Sequence, residues 1–215
     1  MKKIIIFASG SKDGGGSGFE NLVKATRNGI LEGQILAVVS NHENGGVRER
    51  ADRLGIKFIH FVEPRTAERY REITESADLI CLSGWLKLAV GLDPKKTINI
   101  HPGPLPRFGG AGMYGHHVHE AVMEAYKKGD PSNSSGQAIK NSAISMHFVT
   151  PIYDEGPLFF SQSVPILPDD TAETLAKRVN EAEHKWQPVI TQKVLSGEIS
   201  WDGKNSESLK GQIIS

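Results

Sequence analysis

The 215-residue chain has a single cysteine, Cys81, so no intramolecular disulfide can form. That thiol lies in the apolar run Leu79-Ile80-Cys81-Leu82, where a buried, inert side chain is expected. No surplus of either charge is present, with Lys plus Arg and Asp plus Glu at 25 each and a pI near 7.1. The basic excess of a general nucleic-acid binder is therefore missing, and no nucleic-acid partner is expected. Long hydrophobic runs are absent too. After Met1-Lys2-Lys3 come only five apolar residues, Ile4 to Ala8, too few for a signal peptide or a membrane span. A cytoplasmic location with no membrane partner is the expectation. There is no internal repeat, no separating linker and no coiled-coil pattern, which leaves one globular unit over 1–215.

With 38% hydrophobic residues, the chain alternates short apolar runs with amphipathic stretches. This is the pattern of an α/β fold with a mostly parallel sheet covered by helices. Strands are expected at Lys3 to Ser9, Ile35 to Ser40, Lys57 to Phe61, Leu79 to Ser83 and Thr97 to His101. Helical spacing joins Phe19, Leu22, Val23 and Thr26, and again Val47, Ala51 and Leu54. The first hundred residues thus read as a Rossmann-like, nucleotide-binding half. A helix is expected around Gly115 to Tyr126, and a polar surface loop over Lys128 to Lys140. Strands at Ala143 to Val149 and Leu158 to Val164 are expected to be antiparallel or at a sheet edge. Asp170, with Glu173 three residues later, predicts a capping-box start for a last helix running through Ala176 and Val179, with a kink at Pro188.

The most informative stretch is Ile98-Asn99-Ile100-His101-Pro102-Gly103-Pro104-Leu105-Pro106. Strand side chains alternate faces, so Asn99 and His101 share one face while Ile98 and Ile100 face a core. The prolines end the ladder at once, because proline lacks a backbone N–H. An amide and an imidazole side by side at the carboxyl end of a strand are suited to holding a developing oxyanion.

Two loops add to this. Gly10-Ser11-Lys12-Asp13-Gly14-Gly15-Gly16-Ser17-Gly18 joins the first strand to the first helix, where glycines and a helix start favour an anion. No Gly-Lys-Ser/Thr ends it, and the second strand ends Val39-Ser40-Asn41 without the acidic residue a dinucleotide site uses, so a phosphomonoester fits best. A tight turn with no ligand fits the loop alone equally well. Downstream, Asp154 lies in a loop ending Gly156-Pro157, and a carboxylate there would raise the His101 pKa and keep the imidazole charged. Alone, an Asp beside Gly-Pro is more often a turn former. His116, His117, His119 and Glu120 are close in sequence but lack a committed zinc ligand set, so no metal is expected.

Taken in order, Asn99-Ile100-His101-Pro102, Leu105-Pro106, His147-Phe148-Val149-Thr150 and Asp154 with Gly156-Pro157 resemble the formyltransferases that use 10-formyltetrahydrofolate. The resemblance runs from Ile4 to about Ile199 and implies the formyltransferase fold. It also implies transfer of a formyl group from that co-substrate to the amine of 5′-phosphoribosylglycinamide, a step of purine synthesis. Asn99, His101 and Asp154 then form the catalytic trio. Gly16, Ser17, Gly18, Phe19 and Glu183 would hold the phosphate and ribose of the acceptor, and Trp85, Leu86, Lys87, Leu88, Thr150 and Tyr153 would flank the folate. By this likeness residues 1–100 form the nucleotide half and 101–200 the folate-binding and catalytic half of a monomer or homodimer. Lys87 stands where an arginine is common, Gly103-Pro104 where Ser-Leu is common, and Gly18-Phe19 where Asn-Leu is common. Alternatives within the same chemistry are another amine acceptor, such as an amino-sugar nucleotide, or hydrolysis of formyltetrahydrofolate. A silent folate- or phosphate-binding module is the alternative outside it.

Overall fold

A computed structural model describes residues 1–12, 14–128 and 139–215. The expected loop over Lys128 to Lys140 falls almost wholly outside the described residues. One eight-stranded sheet organises the chain, in the order β3-β2-β1-β4-β5-β6-β7-β8. The parallel part comprises β1 (Lys2–Phe7), β2 (Gly33–Ser40), β3 (Phe58–His60), β4 (Leu79–Ser83) and β5 (Thr97–His101). β6 (Asn141–Phe148) runs antiparallel to β5, β7 (Leu158–Pro165) antiparallel to β6, and the short β8 (Ile213–Ile214) parallel to β7. All seven expected strands form, and β4 and β5 have the bounds expected of them.

Both faces of the sheet are covered, and the side chains of β1 show how. Ile4 and Ile6 enter one core with α1 (Ser17–Arg27), α2 (Gly46–Leu54), α4 (His116–Lys128) and α5 (Ala172–Ser196). Ile5 and Phe7 enter a second core with Tyr70 and Ile73 of α3 (Ala67–Thr74). A strand whose alternate residues are both apolar is what burial on two faces requires. In the second core Phe7, Phe61, Tyr70 and Trp85 pack ring against ring, with Phe61 and Tyr70 edge to face at 4.8 Å. Cys81 is buried, and burial pushes its thiol up to about 12, so it is inert as expected.

Chain order decides where a cleft can open. From β1 the chain moves outward through β2 to β3, then returns to the other side of β1 as β4 and β5. Loops leaving the carboxyl ends of β1 and β4 therefore diverge, and a crevice lies between them.

Two local readings change. The last helix starts one residue later than expected, with Thr171 as its N-cap and Thr174 completing the capping box. Asp170 instead accepts from the Leu167 N–H and the Thr174 hydroxyl, and its carboxylate takes both Nη atoms of Arg178 at 2.6 and 2.8 Å. That helix continues through Pro188. Helix α3 and strand β8 were not expected. The signal for α3 was there: Thr66 accepts from the Arg69 N–H as N-cap, and Tyr70 and Thr74 recur at helical spacing.

Two expected outcomes follow. Asp170→Ala leaves the Arg178 guanidinium with the Pro165 carbonyl but without its counter-ion, and urea unfolding should show a loss of about 3 kcal/mol; a loss below about 1 kcal/mol would mean that the pair is solvated. The second concerns His119, which is 5% exposed, has no partner for Nδ1 among the described residues and is pushed down to about 4 by burial. A depressed histidine contributes stability above its unfolded pKa near 6.5 and loses it as pH falls through 4. His119→Gln should therefore shrink the stability difference between pH 7 and pH 4.5 by about 2 kcal/mol, and parallel pH curves for the two proteins would refute this.

Candidate active site

A cleft of about 580 Å³ opens at the carboxyl ends of β1, β4 and β5, within the size range of small-molecule sites. Its lining draws on both halves of the sequence. At one end are Gly16, Ser17 and Gly18 with Asn180, Glu183 and His184 of α5. At the other are Trp85 to Ala89 with Val149, Thr150, Ile152 and Tyr153, and between them lie Asn99, His101, His147 and Asp154. Every residue assigned from the sequence to the catalytic trio, the acceptor or the folate lines this cleft except Phe19, whose side chain is fully buried in the core, so only its backbone is available to a ligand.

Strand register brings the central polar groups together. Asn99 and His147 are direct partners across β5 and β6, and His101 pairs with Ser145. His147 donates from Nδ1 to the Phe148 carbonyl at 2.8 Å, and its Nε2 lies 3.0 Å from Asn99 Nδ2 and 3.3 Å from Asp154 Oδ1. Asn99 Nδ2 donates to Asp154 Oδ1 at 3.3 Å, and the Gly110 N–H donates to Asp154 Oδ2 at 3.0 Å. His101 Nδ1 faces Asp154 Oδ2 at 3.7 Å, while His101 Nε2 donates to the Phe108 carbonyl at 2.7 Å.

Asp154 is therefore no mere turn former. Its φ of 55° lies in the left-handed region, which Asp tolerates better than most residues, and this backbone aims the carboxylate across the sheet edge at β5. The loop closes so tightly that a Cβ on Gly156 would overlap the Phe148 carbonyl oxygen, so glycine is required there. Burial pushes the Asp154 carboxyl up, but His147, His101 and the Gly110 N–H outweigh it and hold it below the usual range.

One electrostatic expectation is reversed. Burial lowers the pKa of His101 by more than Asp154 raises it, so the imidazole is neutral near pH 7 in the free site rather than held charged. Within the same cleft, desolvation pushes Glu183 up to about 7, against a smaller lowering by Asn180, whose amide donates to it at 3.3 Å. That carboxyl is ready to share hydrogen bonds with hydroxyl groups. His184 is lowered by burial, and its Nε2 has no partner among the described residues.

The sequence reading overlooked three contributors. His147 was part of a noted motif, but its pairing with Asn99 emerges only from the β5–β6 register. The Phe108 carbonyl and Gly110 N–H act through backbone, which residue type does not reveal. Of the histidine group, His116 and His117 meet Glu120 at 3.4 and 3.2 Å on the exposed start of α4, and His116 also meets Glu173 at 3.5 Å. Among the described residues, no cluster of three His, Cys, Asp or Glu side chains is arranged to hold a metal ion. Nor is any described helix long and apolar enough to cross a membrane.

Known proteins resemble this chain in sequence and in fold. The profile of the family described as Formyl transferase matches residues 2–191. The chain is 32% identical to the chloroplastic phosphoribosylglycinamide formyltransferase of Arabidopsis thaliana over 93% of its own length and 68% of that protein. It is 29% identical to the phosphoribosylglycinamide formyltransferase of Bacillus subtilis, covering 91% of this chain and 95% of the relative. The crystal structure of glycinamide ribonucleotide transformylase 1 from Symbiobacterium toebii superposes with a TM-score of 0.78 at 27% identity, over all of this chain and 95% of the other. With a family match across most of its length, a matching sheet and this cleft, the chain belongs to the formyl transferase family.

Proposed function

We propose that this enzyme transfers the formyl group of 10-formyltetrahydrofolate to the amine of 5′-phosphoribosylglycinamide. The observation that carries the reading is the convergence of Asn99, His101 and Asp154 midway along one cleft. One end of that cleft is a glycine-rich helix start, and the other has apolar walls. The phosphate lies on the backbone N–H groups of Gly16 to Phe19 at the start of α1, and Glu183 takes the ribose hydroxyls. Trp85, Leu86, Lys87, Leu88, Thr150 and Tyr153 flank the folate. No metal takes part in this reading. A single domain over 1–215 holds both ligands, and each end of the cleft uses residues from both halves.

The amine attacks the formyl carbon, and the carbonyl π electrons move onto oxygen to give a tetrahedral intermediate. Asn99 Nδ2 and the His101 imidazole stabilise that oxygen. Neutral in the free site, His101 becomes a cation, with Asp154 as its counter-ion, only by taking up the proton that the attacking nitrogen releases, which then passes on to the leaving folate nitrogen. The attacking nitrogen loses a proton, and the leaving folate nitrogen gains one as its bond to carbon breaks. Asp154 borders that path and orders the proton carrier. Formylated amine and tetrahydrofolate are the products.

Release of folate from 10-formyltetrahydrofolate, followed by absorbance with and without 5′-phosphoribosylglycinamide, tests the assignment. Release should require the nucleotide. Release without it would make the protein a hydrolase, and no release in either case would end this reading. Asn99→Ala should cost about 100- to 1000-fold in kcat. Because His101 is depressed by burial and works from its neutral form, kcat/KM should fall on acidification only below about pH 6.5. A profile that rises as pH drops through 6.5 would restore the charged-histidine account.

A further inference from the structure

The phosphate end of the cleft contains a polar pair not included in the reading above. Ser83, the last residue of β4, and Gln187 of α5 are 6% and 2% exposed, and both line the cleft beside Gly18. Gln187 Nε2 donates to Ser83 Oγ at 3.0 Å, while the contact from Ser83 Oγ to Gln187 Oε1 is 3.5 Å. One hydroxyl oxygen cannot form two well-aligned bonds with both ends of the same planar amide, so the shorter bond dominates. Among the described residues the Ser83 proton then has only the long 3.5 Å contact to Gln187 Oε1.

Its place is set by the fold. β1 and β4 are neighbours in the sheet, so the residue ending β4 stands against the loop that follows β1. Ser83 Oγ fills the space a Cβ on Gly18 would take, and Gln187 Oε1 would lie 3.2 Å from that Cβ. The hydroxyl is thus packed against the first turn of α1, whose start has no side-chain cap. In an unliganded helix the first N–H groups lack intrahelical partners, and an anion placed there meets the Ser83 hydroxyl from the β4 side.

We propose that Ser83 is a further ligand of the acceptor's phosphomonoester, donating its hydroxyl to a phosphate oxygen, with Gln187 as the positioning residue that turns it there. This rests on the phosphate-site reading above and adds a specificity element from outside the glycine-rich loop. The hydroxyl exchanges a long contact for a charge-assisted bond, so the gain appears only when a phosphate is bound.

The test uses Ser83→Ala and Gln187→Leu in the full chain, each checked for an unchanged melting temperature. Ribose 5-phosphate and phosphate-free ribose are titrated by NMR, and KM and kcat are measured with 5′-phosphoribosylglycinamide and its dephosphorylated analogue. Either variant should weaken ribose 5-phosphate and raise KM for the phosphorylated acceptor about tenfold, with a much smaller change in kcat. Affinity for the phosphate-free compounds should stay at the wild-type value, and the double variant should be no worse than Ser83→Ala alone. Wild-type affinity in Ser83→Ala, or an equal loss with and without the phosphate, overturns the proposal. If Gln187→Leu leaves phosphate affinity intact while Ser83→Ala does not, the positioning role of Gln187 is overturned. Should the wild-type protein bind ribose 5-phosphate through Ser83 yet fail to formylate the amine, the acceptor assignment fails and the Ser83 site stands.

Discussion

The carboxylate of Asp154 is the group on which the arrangement of the site depends. It sits on a loop after β6, in a left-handed backbone conformation, and receives the Asn99 amide and the Gly110 N–H while facing His101 and His147. A half-buried negative charge without such partners would be costly, and here its partners come from β5, β6 and the loop after β5. The same charge therefore ties three segments to one point. Gly156 makes this possible by letting the loop lie against the Phe148 carbonyl, where any side chain would overlap it. The Asp154 contact also binds the loop carrying Phe108 and Gly110 to the sheet edge, because Phe108 closes on His101 through its carbonyl.

Sheet order supplies what Asp154 cannot, namely the open cleft around it. The reversal between β1 and β4 separates their following loops, and β5 and β6 extend the same edge with Asn99 opposite His147. The cleft is consequently polar at its middle and at the start of α1, and apolar where Trp85, Leu86 and Leu88 line it. Trp85 is anchored from behind, its indole N–H donating to the Tyr70 hydroxyl, which in turn donates to the Leu88 carbonyl. Helix α3, which carries Tyr70, thus stiffens the wall of the cleft without touching its centre.

How much of this was legible in the sequence depended on whether the signal was local. β4 and β5 were readable to the residue because their apolar runs are bounded by Gly84 and by Pro102. The shared face of Asn99 and His101 followed from the period of two alone. What was not legible required tertiary partners. Asp170 looked like an N-cap until Arg178, two turns along the helix, took its carboxylate. Helix α3 was missed because its buried residues are few and set among charges: Glu68, Arg69, Arg71 and Glu72 surround Tyr70. His101 was expected to be charged because a carboxylate was foreseen and the depth of burial was not, and burial is the larger effect.

The free site satisfies its own donors, and this bears on how it can discriminate. Asn99 Nδ2 donates to Asp154 Oδ1, and the His101 Nε2–H is held by the Phe108 carbonyl. Buried donors must be paired in the absence of ligand, so such internal acceptors are the expected resting state. A weakly charged carbonyl oxygen gains little by competing with them. An oxygen bearing nearly a full negative charge gains much more, because a bond to an ionised acceptor is roughly twice as strong as a neutral one. The internal pairing thus discounts ground-state binding more than transition-state binding, which is the difference that accelerates a reaction. Because His101 is neutral at rest, the free protein carries no buried cation there, and in the proposed reaction the imidazole becomes charged only on taking up the proton that the attacking nitrogen releases.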